Sequence, residues 1–393
     1  LAQMVPLILY YIYRTFIESR DRERGKEAAM VAVGAYILYV ISEYVVLWFS
    51  RTREYHADRF SGEVTGSPAN LARALVKIAY GLAGHDGKPK ESEEESEQRK
   101  PALEAIGAMG IFDGNTARSL AVAGYTEKAA LAGDVALDNL KGAMRWDLWN
   151  PWAKWYELHS THPLVAKRLQ YLSSQALAMG QYPYIVFDET QPESYWDEFF
   201  VDLAIHLLPL MALVLVPAYW YFSHRALAQV SLWHSVPPTL IALGAALLVK
   251  YAFTYRGGFF PKATVATLLK SVKVSEVRPV PCQLWGTIIG RGVPGYIFSE
   301  DFVMKDATGI IFLDYRQPLG IWEALFGLLK AGEYQGKQVS VTGWYRRAPV
   351  PYVQINELTC ESKAIRSWVP ALYKLTAWTF LFGGVIWAVV IRL

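Results

Sequence analysis

Residues 50–62, SRTREYHADRFSG, follow directly on the apolar run at 29–49, and this junction decides how the first part of the chain folds. The run is about the length that a helix needs to cross the ~30 Å hydrocarbon layer of a membrane. If the helix continues without a break, Glu54 lies about 8 Å beyond the apolar end at 1.5 Å rise per residue. Asp58 follows one turn later, so the two carboxylates share a helical face and repel each other. The junction therefore predicts an acidic pair just outside the bilayer, with a cation beside it.

The composition of the chain is that of a membrane protein with soluble parts. Its 393 residues are 53% hydrophobic with a mean hydropathy of +0.15, which makes it too apolar for an ordinary soluble protein and too long for one domain. The net charge of +3 gives no reason to expect general binding to polyanions. Two cysteines, Cys282 and Cys360, exclude a disulfide framework and a cysteine-based zinc cluster, and we expect both to be reduced thiols.

Apolar runs and a change of pattern divide the chain into five predicted segments. The segments are a membrane hairpin at 1–49, a mainly helical soluble half at 50–198, a second membrane hairpin at 199–256, a β domain at 278–362 and a last membrane helix at 372–392. The apolar runs that predict the membrane helices are 1–17, 29–49, 203–222, 237–255 and 375–391.

Basic residues beside the second hairpin predict its orientation. The loop at 223–236 holds one basic residue, Arg225, whereas the twenty residues after Tyr255 hold four. By the positive-inside rule the side after Tyr255 is cytoplasmic, and two crossings place the half at 50–198 on that side too. The turn at 18–28 argues against this orientation, although acidic residues accompany its basic ones. We expect a multi-pass protein of the inner cell membrane with both soluble parts in the cytoplasm.

Residues 278–362 have the short β-branched runs of an all-β domain. Three strand-like runs come first, an apolar helical segment at 321–330 follows, and two further strand-like runs complete the domain. This order is that of a small OB-type barrel. Residues 344–347, WYRR, are typical either of a stacking and phosphate-binding surface or of packing and protein contacts, and the second use is commoner. We therefore expect no nucleic-acid partner.

A second informative stretch lies at 160–164, STHPL. Pro163 suits the first turn of a helix that also carries Leu164, which places His162 at the helix cap. A lone histidine before proline more often serves capping or packing than chemistry. His159 forms a His-x-x-His with His162, but His159 precedes the predicted helix and the motif lacks a glutamate that would act as base. We interpret His159 as structural.

Three stretches of this sequence resemble the zinc-dependent membrane endopeptidases of the HtpX and CAAX-prenyl-protease type. They are SRTREYHAD at 50–58, TGSP at 65–68 and STHPL at 160–164. They occur in the family's order and in its membrane context, over roughly residues 1–175.

The resemblance implies a zinc peptidase and assigns four site residues. Glu54 matches the third zinc ligand and Asp58 the carboxylate that supports it. His162 would lie near the zinc and donate a hydrogen bond to the oxyanion of the tetrahedral intermediate, while Arg168 would neutralise and hold the acidic cluster. Zinc bound by three protein ligands lowers the pKa of a bound water to about 7 and polarises the scissile carbonyl.

The chain also departs from the family, because it contains no His-Glu-x-x-His, the motif that supplies two zinc ligands and the general base. It begins at Leu1 inside an apolar run. We interpret the sequence as N-terminally incomplete, with the missing motif expected shortly upstream, and we expect the chain as printed to be inactive.

These observations leave three hypotheses for function. The first is a membrane-embedded zinc metalloendopeptidase that cleaves membrane or juxtamembrane proteins, as in quality control. The alternative is a catalytically inactive scaffold whose OB-like domain binds a partner. A transporter is weaker, because only Glu43, His206 and Lys250 are polar candidates within the membrane runs. The expected partners are the lipid bilayer and protein or peptide substrates.

Overall fold

The computed structural model describes residues 4–18, 25–80, 137–187, 190–224, 232–292, 301–348, 350–361 and 363–392. Residues 81–136 of the predicted soluble half lie outside this part of the chain, as do 19–24 and 225–231 within the predicted turns. The chain divides into two compact units, which we describe separately. One comprises Leu1–Arg73 and Ala153–Glu189, and the other Ala74–Trp152 and Thr190–Leu393.

The described helices are α1 (Met4–Glu18), α2 (Gly25–Thr65), α3 (Pro68–Tyr80), α4 (Leu137–Trp149), α5 (Pro151–Leu158), α6 (Val165–Ala178), α7 (Trp196–His224), α8 (Val236–Thr254), α9 (Val265–Leu269), α10 (Gly320–Leu329) and α11 (Val369–Arg392). The described strands are β1 (Val280–Arg291), β2 (Phe302–Lys305), β3 (Ile310–Asp314), β4 (Gln338–Arg347), β5 (Pro351–Cys360) and β6 (Lys363–Arg366). Short 3₁₀ turns lie at Leu232–Ser235 and Ala331–Tyr334.

Helix α2 is the central element of the first unit. Its 41 residues contain no proline, so it continues unbroken from the apolar run through the acidic pair, as predicted. It packs against α1, where the rings of Tyr10 and Tyr39 lie 5.8 Å apart. It ends before Gly66, whose φ of 63° is the left-handed conformation that favours glycine after a helix. Helix α3 then begins at Pro68.

Helix α6 begins two residues later than predicted. It starts at Val165, and Leu164 before it is extended with a ψ of 136°. The backbone N–H of Leu164 donates to the carboxylate of Glu157 at 3.3 Å, which holds this residue outside the helix. The prediction that Pro163 lies in the first helical turn is therefore wrong, and His162 belongs to the loop between α5 and α6.

Among the described residues, four helices are long and apolar enough to cross a membrane. They are Ala29–Thr65, Trp196–Ser223, Trp233–Thr254 and Val369–Val390. These spans contain or closely overlap the predicted runs at 29–49, 203–222, 237–255 and 375–391, which are thereby confirmed as candidate membrane helices. The run at 1–17 forms the 15-residue helix α1, and its crossing of a membrane stays a prediction.

The strands form a closed barrel in the second unit. The sheet order is β3-β2-β1-β4-β5-β6, and a parallel pairing of β3 with β5 closes the ring. The five barrel strands and the helix between β3 and β4 occur in the predicted order and fit an OB-like fold. Strand β6 was not predicted. The fold class, a multi-pass helical membrane protein with a small β-barrel, is confirmed, while the limits of the five predicted segments stay a prediction.

Residues 344–347 are buried in this second unit, with exposed fractions of 0–4%. The guanidinium of Arg347 pairs with Asp147 at 3.0 Å and lies over the ring of Trp146, 4.7 Å from its centroid. Arg346 donates to the backbone carbonyl of Thr254 at 3.0 Å. The proposed stacking and phosphate-binding surface is therefore wrong for these residues, and the packing alternative is confirmed.

Candidate functional site

The acidic pair lies on α2 in the first unit. The helix is regular between Glu54 and Asp58, so their carboxylates lie one turn apart on one face. Their environments differ: the side chain of Asp58 is 3% exposed and that of Glu54 is 23% exposed. Asp58 is thus a buried carboxylate that needs a partner, whereas Glu54 can be reached from solvent.

Arg168 on α6 is the cation that the spacing of the carboxylates predicted. It makes a bidentate contact with Asp58, with Nε donating at 2.7 Å and Nη2 at 2.6 Å. Its Nη1 lies 3.2 Å from Oε2 of Glu54. Burial lowers the pKa of Arg168, but the hydrogen bond and charge of Asp58 and the charge of Glu54 outweigh it, so the pKa is raised. A guanidinium held by two carboxylates stays charged and fixes both of them.

His162 approaches the other oxygen of Glu54. Its Nδ1 lies 3.4 Å from Oε1 of Glu54, and its side chain is 58% exposed. The structure therefore brings together all four residues named by the resemblance, Glu54, Asp58, His162 and Arg168. Their contacts are observed, whereas their roles in a reaction stay predictions.

Arg51 was missed from the sequence and belongs to this cluster. Its Nη1 donates to the backbone carbonyls of Glu157, of Leu158 at 3.3 Å and of Ser160 at 3.0 Å. These carbonyls form the carboxyl end of α5 and the start of the loop that carries His162, where unpaired carbonyls attract a cation. Arg51 precedes Glu54 by three residues, and this i,i+3 spacing, which places both side chains on one face of α2, is the signal in the sequence that could have identified Arg51.

The remaining histidines near the site have structural or surface positions. In His159, Nε2 lies 2.9 Å from the hydroxyl of Tyr44 and Nδ1 lies 2.9 Å from the carbonyl of Trp155. Both ring nitrogens of His159 are thus engaged, which supports the structural interpretation of this residue. His56 is exposed on α2.

The side chains of this cluster do not make a metal site by themselves. Within the described residues, no group of three histidine, cysteine, aspartate or glutamate side chains can hold a metal ion. Both oxygens of Asp58 accept hydrogen bonds from Arg168, whereas the partly exposed Glu54 faces Arg168 with Oε2 and His162 with Oε1.

Comparison with known proteins finds matches to the same region. Residues 1–176 match Peptidase family M48. The chain is 44% identical over 91 residues, 23% of its length, to 34% of a "Protease HtpX homolog" from Methanothermobacter thermautotrophicus. It is 32% identical over 185 residues, 45% of its length, to 51% of a "Protease HtpX homolog" from Aeropyrum pernix.

A third relative is a "Protease HtpX homolog 2" from Methanosarcina acetivorans, 34% identical over 122 residues that make up 28% of this chain and 40% of the relative. The chain thus spans about a third to a half of the length of these curated relatives. No solved structure matches it.

Proposed function

We propose that this chain, whose residues 1–176 are of the M48 and HtpX type, forms part of a zinc-dependent endopeptidase of the membrane. The observation that carries the proposal is the convergence of Glu54, Asp58, His162 and Arg168 at the end of a candidate membrane helix. Arg168 and Asp58 are 110 residues apart in the sequence and make two hydrogen bonds. Such an arrangement requires a tertiary fold that brings all four side chains together.

In this proposal two of the four residues orient Glu54, and the other two contact the metal or the substrate. Asp58 and Arg168 hold the carboxylate of Glu54 in one orientation, because Arg168 bridges the two carboxylates. Glu54 is the metal ligand, and its 23% exposure keeps it accessible. His162 lies beside it and is exposed, so its imidazole can donate a hydrogen bond to negative charge that develops on a substrate oxygen. Arg51 positions the loop of His162.

A complete zinc site of this type needs more than these residues. Three protein ligands hold a catalytic zinc, and no group of three candidate ligands lies among the described residues. The printed sequence contains no His-Glu-x-x-His. The proposal therefore requires two further ligands and the general base from polypeptide outside this sequence.

The position of Glu54 on α2 suggests the substrates. Because α2 leaves the apolar run and continues to Glu54 without a break, the site lies just outside the bilayer. Membrane proteins and juxtamembrane segments are the chains that reach such a site, which fits a role in quality control. We place the site and the barrel on the cytoplasmic side of the cell membrane, from the basic residues after Tyr255.

The test compares Glu54→Gln with Glu63→Gln in the protein as its organism makes it, with every segment that the coding sequence supplies. Glu63 lies on the same helix, is half exposed and pairs with Arg59 in a surface contact, so it is a matched control. We expect one zinc ion per chain by elemental analysis in the wild type and in Glu63→Gln, together with cleavage of a membrane-anchored reporter peptide. Glu54→Gln should lose both. Full zinc content and cleavage in Glu54→Gln would refute the assignment.

The inactive scaffold remains the alternative, and one observation favours it. The described residues hold no group of three metal-binding side chains, so this part of the protein cannot bind a catalytic zinc alone. In a scaffold the wild type would contain no zinc and would not cleave the reporter, and Glu54→Gln would change neither result. The same two measurements therefore decide between the hypotheses.

A further inference from the structure

Helix α10 presents a row of large apolar side chains away from the barrel. Five of its ten residues have large apolar side chains with exposed fractions between 40% and 68%. They are Ile321, Trp322, Leu325, Leu328 and Leu329. Their spacing of i, i+1, i+4, i+7 and i+8 places them on one face of the helix. Soluble proteins rarely leave such a patch uncovered.

The opposite face of α10 packs against the barrel, and the carboxylate of Glu323 on that face accepts a hydrogen bond from the backbone N–H of Gln317 at 2.7 Å. The ring of Phe326 lies 4.5 Å from that of Tyr315 and 6.1 Å from that of Phe302. Gly327 is buried against the barrel. Since this face anchors the helix, α10 cannot rotate to bury the outward row.

The outward row is continuous with the start of a candidate membrane helix. A cavity of about 660 Å³ lies beside α10 and is lined by Trp322 and Leu325 of the helix together with Ile365 and Trp368. Trp368 is 59% exposed and immediately precedes α11, whose candidate span begins at Val369. The patch therefore lies beside the residues at which the candidate span of α11 begins.

The length and the flanking residues of α10 favour a position along the membrane surface. Ten residues make a helix about 15 Å long, half of the ~30 Å hydrocarbon layer, so α10 cannot span it. Trp322 and Trp368 are of the residue type that concentrates at the membrane–water interface. Lys330 and Arg366 line the same cavity and are exposed, where they can contact lipid phosphates.

We infer that the outward face of α10 inserts into the interfacial layer of the membrane that α11 spans, so that the barrel rests on the bilayer through this helix. The inference does not depend on the peptidase proposal, because all of its residues lie in the barrel and at the start of α11.

The test places a fluorophore on α10 in the full chain. Ile321→Cys and Leu325→Cys are each labelled with an environment-sensitive dye, and Ala307→Cys is the control. Ala307 is exposed at the β2–β3 turn, at the other end of β3 from Tyr315. Cys282 and Cys360 are buried, so unmutated chain gives the labelling background. The proteins are reconstituted at low density in vesicles of phosphatidylcholine and phosphatidylglycerol.

Two quenchers then distinguish the possible coverings of α10. We expect dye at 321 and 325 to emit at shorter wavelength, to be quenched by lipid that carries a nitroxide high on its acyl chain, and to resist aqueous iodide. Dye at 307 should show the reverse. Quenching of 321 and 325 by iodide, as at 307, would overturn the inference. Resistance to both quenchers would overturn it too, because a second copy or another protein would then cover the helix.

Discussion

Replacing Arg168 with glutamine removes the cation that joins the acidic pair of α2 to α6. Glutamine has nearly the helix propensity of arginine, so the substitution tests the contacts rather than the helix. It abolishes the two hydrogen bonds to Asp58 and the 3.2 Å contact with Glu54. The two carboxylates are then left one turn apart without the guanidinium that bridges them.

The structure sets the size of the expected effect. Asp58 is 3% and Arg168 15% exposed, so their pair counts as buried, and breaking a buried pair by removing one partner costs roughly 3–5 kcal/mol. Because Glu54 is partly solvated, we take the lower end, about 3 kcal/mol. At 1.4 kcal/mol per factor of ten, this corresponds to roughly 100-fold more frequent local opening of α6.

Hydrogen exchange followed by mass spectrometry measures that opening in the full chain in lipid nanodiscs. Peptides from Val165–Ala178 should exchange roughly 100-fold faster in Arg168→Gln than in the wild type. Asp58→Asn should have a smaller effect on exchange, because Arg168 keeps its contact with Glu54. The double variant should lose less stability than the sum of the losses in the two single variants.

The control and the refuting result use a surface pair on the same helix. Arg59 and Glu63 lie 2.8 Å apart but are 59% and 51% exposed, so Glu63→Gln should leave exchange in α6 unchanged within error. If Arg168→Gln also left the exchange of α6 unchanged, the buried pair would not hold α6 on α2. The reasoning about the site would then fail.

Three further results are expected. Arg51→Gln should loosen the loop that carries His162, because three backbone carbonyls lose their hydrogen-bond donor. Amide exchange in this loop should become faster while α6 keeps its protection, and unchanged exchange in the loop would contradict this role. Burial raises the pKa of the Cys282 thiol from 9.0 to about 12, so this thiol should not react with a disulfide reagent at pH 8 until the chain unfolds; rapid reaction of the native protein at that site would count against the structure. The contribution of the buried neutral thiol to stability should be present below pH 9 and should be lost as pH rises towards 12. Gly384→Val should lower the melting temperature in detergent, because a Cβ at this position meets the backbone of α8 within 2.9 Å. Gly383→Val should not lower it, because a Cβ there meets nothing within 4 Å. Equal melting temperatures of the two variants would exclude this close packing of α8 and α11.

Local pattern was sufficient for the candidate membrane helices and the five barrel strands of this protein, although not for β6 or for the start of α6. The apolar runs predicted the four candidate membrane helices, and the β-branched runs predicted the strands of the barrel in their order. The i,i+4 spacing of Glu54 and Asp58 predicted a shared face and a nearby cation. These features follow from residues that are close in the chain, since helical and strand periodicity act over a few residues.

Contacts between distant residues were decided by the tertiary structure. Arg168 meets Asp58 across 110 residues, and Arg51 meets Ser160 across 109. The environment of Arg347 was decided in the same way: its side chain is fully buried against Asp147, whereas the sequence also allowed a surface role. The apolar segment at 321–330 was predicted as a helix, yet only the packed barrel shows that one of its faces is left for another contact. Periodicity fixes which residues share a face, but burial depends on what the rest of the chain places against that face.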